Sequence, residues 1–251
     1  MKALIFAAGL GTRLRPLTDH TPKALVPVGG VPMLQRVLLR LKAAGFNDIT
    51  INIHHFGQQI IDFLQAHQQF GLDLHISDER DQLLDTGGGI RKARRWLDGS
   101  EPFLVHIADI LTDLDLGAFY RAHVASGAEV TLLVGKRKTS RYLLMDSDMR
   151  LRGWVNKQTG ELRPEGFNPA ETPCEEWAFG GVHLLSPTLF RHMADERWEG
   201  KFSIIPFYLD ICHEARLTGY PMPAGTRWFD IGKPETLQLA EESLAALEKK
   251  L

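Results

Sequence analysis

Cysteine is scarce in this sequence: Cys174 and Cys212 are the only two in 251 residues, and no CxxC pair occurs. That excludes a disulfide framework or a zinc ribbon and suits a reducing compartment such as the cytoplasm. Long apolar runs are also missing. No stretch of 18 or more apolar residues is present, so nothing reads as a spanning helix or a membrane partner. The opening Met1-Lys2-Ala3-Leu4-Ile5-Phe6-Ala7-Ala8 is broken at Gly9 and followed by Arg13-Leu14-Arg15, which does not fit a signal peptide. Charge of one sign is lacking too. With a formal net charge of −2, no global field draws nucleic acid or anionic lipid, and any bound polyanion must be held locally. The five tryptophans are scattered rather than interleaved with basic residues, which suits packing rather than base stacking. There is no Ser-His-Asp or Cys-His constellation, and no repeat. His54-His55 makes a poor chelate, because neighbours on a strand face opposite sides.

What is present is an ordinary globular composition, 44% hydrophobic and 24% charged, long enough for a well-buried core. Apolar runs at 2–7, 49–53, 72–76, 103–107 and 129–134 read as strands. Helical spacing over 33–41 (with Gly45 as its cap), 58–69, 116–125 and from the glycines at 87–89 to Trp96 fills the gaps between them. Strands alternating with helices predict an α/β, three-layer, mainly parallel sheet. After about residue 140 the pattern changes. Short strands at 142–145 and 151–155 flank an Asp146-Ser147-Asp148 turn, and 161–176 reads as a surface loop. A strand follows at 178–185, then a helix with Ser186 as N-cap and Pro187 in its first turn, one over 204–215, and a last one opened by Gly232 and Pro234 and running to the C-terminus. The expectation is one domain in three parts: a first half at 1–140, a substrate-covering lobe at 141–225, and a last strand and final helix at 226–251.

The richest stretch is Gly9-Leu10-Gly11-Thr12-Arg13-Leu14-Arg15-Pro16-Leu17-Thr18, continuing to Pro22-Lys23-Ala24-Leu25-Val26-Pro27. It follows the first strand, at the carboxyl edge where open α/β sheets place ligands. Glycines there let backbone amides approach a polyphosphate, and Arg13 and Lys23 supply a planar fork and a point charge. A lone GxG is often only a turn. Two common phosphate loops fail on inspection: Leu14 stands where the dinucleotide fingerprint needs its third glycine, and no Gly-Lys-Ser/Thr follows.

From Gly9 to Pro27 the sequence resembles the signature of the sugar-1-phosphate nucleotidylyltransferases, Gly-x-Gly-Thr-Arg-Leu/Met-x-Pro, then Thr, then Pro-Lys-x-Leu/Met-x-Pro. Asp230-Ile231-Gly232-Lys233-Pro234-Glu235 resembles that family's closing motif. The resemblance implies a Rossmann-like nucleotide-diphospho-sugar transferase fold with a mainly parallel, mixed sheet. It also implies that Ala8, Gly9, Gly11, Thr12 and Arg13 hold a triphosphate, with Lys23 on the α-phosphate.

Transfer of a nucleotidyl group to a sugar phosphate brings two anions together, so cations and positioning carry the catalysis. Magnesium favours one or two carboxylates plus phosphate oxygens, and acids should therefore stand at strand ends beside the Gly9 loop. Asp109 ends the run Phe103-Leu104-Val105-His106-Ile107-Ala108, although relatives commonly carry Asn-Gly-Asp there. Asp230 follows Trp228-Phe229. A plain reading makes Asp109 a turn former and Asp230 an N-cap; the resemblance makes both Mg²⁺ ligands and puts catalytic roles on Arg13, Lys23 and Asp109.

Leu83-Leu84-Asp85-Thr86-Gly87-Gly88-Gly89 reads as a flat loop before a helix. In relatives this loop packs against the nucleobase, which points to Thr86, Gly87 and Gly88. This version resembles the branch with N-acetylmuramate-1-phosphate uridylyltransferases and mannose-1-phosphate guanylyltransferases, and its side chains do not name the base. Many relatives carry Glu-Lys-Pro at the sugar phosphate, where this chain has Asn156-Lys157-Gln158 without that glutamate and proline. Lys157, Asn156, Glu176 and Gly181 are the candidates for the sugar phosphate. The expected reaction is NTP plus sugar 1-phosphate giving NDP-sugar and pyrophosphate. A non-catalytic nucleotide-sugar sensor is the alternative, and retention of Arg13, Lys23, Asp109 and Asp230 argues against it. An oxidoreductase is disfavoured by Leu14. Monomer and homodimer are both open.

Overall fold

The computed structural model describes residues 1–247, with side chains to 244. Its first strand, β1 (Lys2–Phe6), shows why the sheet is covered on both faces. Ala3 and Ile5 point into one apolar cluster and Leu4 into another, all fully buried, as a two-residue side-chain period demands. A small ribbon of β2 (Pro27–Val28) and β3 (Val31–Pro32) leads into α1 (Met33–Ala43). Then β4 (Asp48–Ile53), α2 (Gly57–Ala66), β5 (Asp73–Asp78), α3 (Asp85–Leu97) and β6 (Phe103–Ile107) alternate. The short β7 (Ile110–Thr112), α4 (Leu116–Ser126) and β8 (Val130–Gly135) complete the first half. The second half adds β9 (Arg141–Met145), β10 (Leu151–Asn156), β11 (Leu162–Arg163), β12 (Glu175–Leu185), α5 (Ile204–Ile211), β13 (Leu217–Pro221), β14 (Trp228–Asp230) and α6 (Pro234–Leu247).

The main sheet is mixed. β6, β1, β4 and β5 run parallel in that spatial order, and β12 lies antiparallel beside β6. The long β12 joins the two halves: its start pairs with β9 and its end with β6 and β8. Its register breaks between Phe179 and His183, around Gly180 and Gly181. Gly181 has φ +72°, and a methyl group there would lie 3.0 Å from Ile110 Cγ1, so glycine is what lets β12 dip toward the turn after β6. Helices α1, α2 and α4 cover one face through residues such as Leu38, Ile60 and Phe119, and α3 and α5 cover the other through Ile90 and Phe207.

Several local expectations need correction. Gly87, Gly88 and Gly89 lie within the first turns of α3 rather than in a loop before it, and their lack of side chains makes room for the neighbours packed against that helix. α2 stops at Ala66, and Gln68, Gln69 and Phe70 take left-handed φ values, which ends the α-helical run early. α5 stops at Ile211 rather than 215, and β13, which pairs with β8, follows it. The segment after Ser186 is a 3₁₀ helix, and the Ser186 hydroxyl donates to the Ala128 carbonyl instead of capping. Asp230 closes β14 and is not the cap of α6. The expectation that the last helix reaches the C-terminus falls, beyond Leu247, outside the described residues.

Candidate active site

The parallel strands end on one edge, and the segments leaving β1, β5 and β6 line a cavity of about 380 Å³ there. After β1 come Ala7, Ala8 and Gly9; after β6, Ala108 and Asp109; Leu83 precedes α3 and Asp85 and Thr86 open it; and Lys23 and Ala24 close one side. Of the residues expected from sequence, Ala8, Gly9, Lys23, Thr86 and Asp109 share this cavity. Asn52 and Lys201 also line it and were not foreseen. Asn52 reads as one more strand residue, and Lys201 sits more than 90 positions from every other residue of the lining, so neither carries a local signal.

The Gly9 loop is shaped from both ends. Leu14 is buried among Val26, Val28, Met33 and Ile231, and it pins the 3₁₀ turn Thr12–Leu14. Leu14 N–H and the Thr18 hydroxyl both donate to the Gly11 carbonyl, at 2.9 and 2.8 Å. Gly11 takes φ +67°, and a methyl group there would lie 2.8 Å from Thr18 Cγ2, so a side chain is doubly disfavoured. Thr12 and Arg13 remain exposed on this loop.

Two carboxylates meet beside it. β14 pairs antiparallel with β7, setting Asp230 opposite Ile110, and Ile231 N–H donates to the Asp109 carbonyl at 2.9 Å. The ribbon thereby makes Asp109 and Asp230 neighbours across 121 positions of sequence. The Asp109 carboxylate accepts from the Lys23 ammonium, each side chain being only 13–14% exposed. Asp230 Oδ1 accepts from Gly232 N–H at 2.9 Å. A methyl group at Gly232 would lie 2.7 Å from Asp230 Oδ1 and 2.8 Å from Arg13 Nη2, so Arg13 reaches the same spot. Arg137 lies over the Trp228 ring at 4.3 Å; burial lowers its pKa, and the charge of Asp230 opposes that shift. Two carboxylates beside a glycine loop and a lysine suit a hard cation that shares its shell with phosphate oxygens. Among the described residues the one cluster of three ligands within chelating range is elsewhere, at Asp48, Asp73 and His75 near the start of β4 and β5.

A buried network fixes the floor. Asn52 Oδ1 accepts from Ala7 N–H at 2.8 Å, and Asn52 Nδ2 donates to Glu79 Oε1 at 2.9 Å. Glu79, fully buried, accepts at its other oxygen from Leu84 N–H at 3.0 Å. One chain of bonds thus ties the end of β1, across β4 and β5, to the wall at 83–86.

The wall at 84–88 is clasped from outside. Gly87 N–H and Gly88 N–H both donate to the Phe202 carbonyl, Phe202 N–H to the Leu84 carbonyl, and Ile204 N–H to Thr86 Oγ1. A methyl group on Gly88 would stand 2.2 Å from the Gly200 carbonyl oxygen, and one on Gly87 2.2 Å from the Phe202 ring. These two glycines therefore receive the 200–204 segment, and only Thr86 of the expected trio lines the cavity. The sugar-phosphate candidates gather on the β9–β10–β12 lobe. Lys157 Nζ donates to Glu176 Oε1 at 2.7 Å, and Asn156 shapes the turn by accepting from Gln158 N–H. Lys157 and Glu176 lie outside the cavity lining; Gly181 lies against Ile107 and Ile110, which flank the Asp109 turn.

The chain belongs to the Nucleotidyl transferase family, which it matches over residues 2–246. It is 33% identical over 252 aligned residues to an N-acetylmuramate alpha-1-phosphate uridylyltransferase of Caulobacter vibrioides, covering 97% of this chain and 96% of that one. A protein of that same name from Neisseria meningitidis serogroup B is 36% identical over 213 residues, 80% of this chain and 89% of its own. A mannose-1-phosphate guanyltransferase of Schizosaccharomyces pombe is 30% identical over 246 residues, 94% of this chain and 62% of its own. Among solved structures, a UDP-glucose pyrophosphorylase from Acinetobacter baumanii superposes with a TM-score of 0.75 at 18% identity, over 96% of this chain and 91% of that one. The central mixed, mainly parallel sheet with helices is the fold these neighbours share. No helix of the described residues is long and apolar enough to cross a membrane.

Proposed function

We propose that this chain transfers a nucleoside monophosphate from an NTP to a sugar 1-phosphate, giving an NDP-sugar and pyrophosphate. The observation that carries the reading is the meeting of Gly9, Lys23 and Asp109 in one cavity, with Asp230 drawn beside Asp109 by the β7–β14 ribbon. The names of the relatives, uridylyltransferase and guanyltransferase acting on sugar 1-phosphates, support the same class of reaction.

In this reading the amides of the Gly9–Arg13 loop and the Arg13 guanidinium hold the β- and γ-phosphates. An oxygen of the sugar phosphate attacks the α-phosphorus in line, a P–O bond forms, and the bond to the β-phosphate breaks as pyrophosphate leaves. Lys23 exchanges Asp109 for an α-phosphate oxygen and offsets the charge that grows there. Asp109 and Asp230 are the residues that would hold Mg²⁺, which when bound supplies further charge neutralisation on the phosphates. Lys157 meets the acceptor phosphate and Glu176 a sugar hydroxyl, with Asn156 and Gly181 shaping that lobe. Cys174 and Cys212 are both free thiols, which agrees with a cytoplasmic setting.

The test is pyrophosphate release with a panel of NTPs and sugar 1-phosphates in the presence of magnesium. Turnover supports the transferase. Tight NDP-sugar binding with no turnover for any pair would refute it in favour of a sensor.

A further inference from the structure

The cavity has a polar end that phosphate chemistry does not use. Asp109 follows β6, the Gly9 loop follows β1, and the 83–86 segment follows β5, with β4 between. Three strand intervals, roughly 14 Å, therefore separate the Lys23–Asp109 pair from Asp85. A nucleotide with its phosphates at the first end has its base at the second.

Two side chains of opposite charge line that second end, Asp85 and Lys201. Asp85 has φ +61°, a left-handed backbone that a residue with a side chain adopts at a cost, and such strain persists where the surroundings impose it. Its Oδ1 accepts from Thr86 N–H at 2.6 Å, and Oδ2 has no partner among the described residues. Lys201 stands between Gly200 and Phe202, the two residues that close on Gly87 and Gly88, so its backbone is held against the wall that carries Asp85. Among the described residues no hydrogen bond or ion pair joins the Lys201 ammonium to Asp85 or to any other group. An acceptor on a short, fixed stem and a donor on a long, mobile one thus face the cavity.

We propose that Asp85 and Lys201 read the edge of the nucleobase and select bases with a ring N–H beside a carbonyl, uracil and guanine, over cytosine and adenine. The inference rests on the transfer reaction proposed above. Asp85, fixed at the start of α3, accepts from the N–H at the middle of the edge, and Lys201 donates to the flanking carbonyl oxygen. Cytosine and adenine present a lone pair at that middle position, which a carboxylate repels. A site built to pair a substrate N–H rejects an analogue lacking it, because the site's own polar group is left unsatisfied.

The experiment is calorimetric titration of the full chain with UTP, GTP, CTP and ATP, with magnesium and without acceptor, for wild type, Asp85→Asn and Lys201→Met. Wild type is expected to bind UTP and GTP at least about tenfold tighter than CTP and ATP. Lys201→Met is expected to reduce that ratio. Asp85→Asn is expected to reduce it further, since an amide can turn its N–H₂ toward the cytosine lone pair. If Asp85 served only the helix end, Asp85→Asn would weaken all four nucleotides alike. Binding with the ratio unchanged in both variants overturns the base assignment and leaves the transfer reaction standing. Absence of binding for every NTP to wild type overturns both.

Discussion

Replacing Asn52 by alanine should loosen the whole floor of the cavity. The amide side chain makes two buried bonds, accepting from Ala7 N–H and donating to the Glu79 carboxylate. Loss of the second leaves a fully buried carboxylate with only Leu84 N–H, a charge-assisted loss of about 1.5–3 kcal/mol. Loss of the first costs about 1 kcal/mol, since Ala7 N–H keeps a longer bond of 3.3 Å to the Asn52 carbonyl. The sum, about 2.5–4 kcal/mol, lowers the melting temperature of a chain this size by roughly 10 °C. The same change frees the 83–86 wall from β1, so the KM for NTP should rise more than the KM for sugar phosphate. Asn52→Asp is the sharper variant. It keeps the acceptor for Ala7 but sets a second carboxylate against Glu79, and should destabilise more than alanine at neutral pH. Thermal melts and steady-state kinetics of both variants measure this. If Asn52→Ala melts within 2 °C of wild type (on the order of 0.5–1 kcal/mol), or Asn52→Asp is the more stable of the two, the network does not bear the load assigned to it.

Asp109→Ala should lower kcat by about 10²–10³-fold, the scale on which removal of one charge-stabilising group acts; pyrophosphate release at an unchanged rate would remove Asp109 from the metal site. Lys157→Ala should raise the KM for sugar 1-phosphate more than that for NTP, and equal effects would take it out of the acceptor lobe. Gly88→Ala drives a methyl group to 2.2 Å from the Gly200 carbonyl, so the 200–204 clasp must shift, at a cost of about 1–3 kcal/mol in a urea melt. Burial lowers the pKa of His106 and His123 to about 4 and of His183 to about 3, so all three stay neutral in the folded chain. The unfolded chain binds those protons near pH 6.5, so their contribution is present above that pH and is lost as pH falls toward 4, by up to about 1.4 kcal/mol per pH unit for each imidazole. Urea melts at pH 7, 6 and 5 should show that slope, and a flat profile would count against neutral burial.

Much of the fold was legible because its information is local. Apolar runs such as Ala3-Leu4-Ile5 and the helical spacing of Leu34, Val37, Leu38 and Leu41 specify element type within one or two turns of chain. The dense stretch from Gly9 to Pro27 is likewise contiguous, so a signature can hold it. What went astray was set by distant packing. Gly87 and Gly88 look like loop glycines, yet they lie in a helix, and glycine is needed there because Gly200 and Phe202, more than 100 positions on, occupy the space side chains would fill. Ser186 looks like a cap, yet its hydroxyl turns to Ala128 and to His123, which bonds it at 3.1 Å.

The sequence by itself determined the alternation of strands and helices and singled out the Gly9 loop, Lys23 and the two acids as candidates, since short-range pattern and residue type suffice for these. Only the tertiary structure decided that β14 brings Asp230 beside Asp109, that Asn52 and Glu79 tie β1 to the 83–86 wall, and that Lys201 lines the same cavity as Asp85. Each of those is a contact between segments far apart in the chain. Its partner is chosen by strand order and packing, and neither is encoded in any single window of residues.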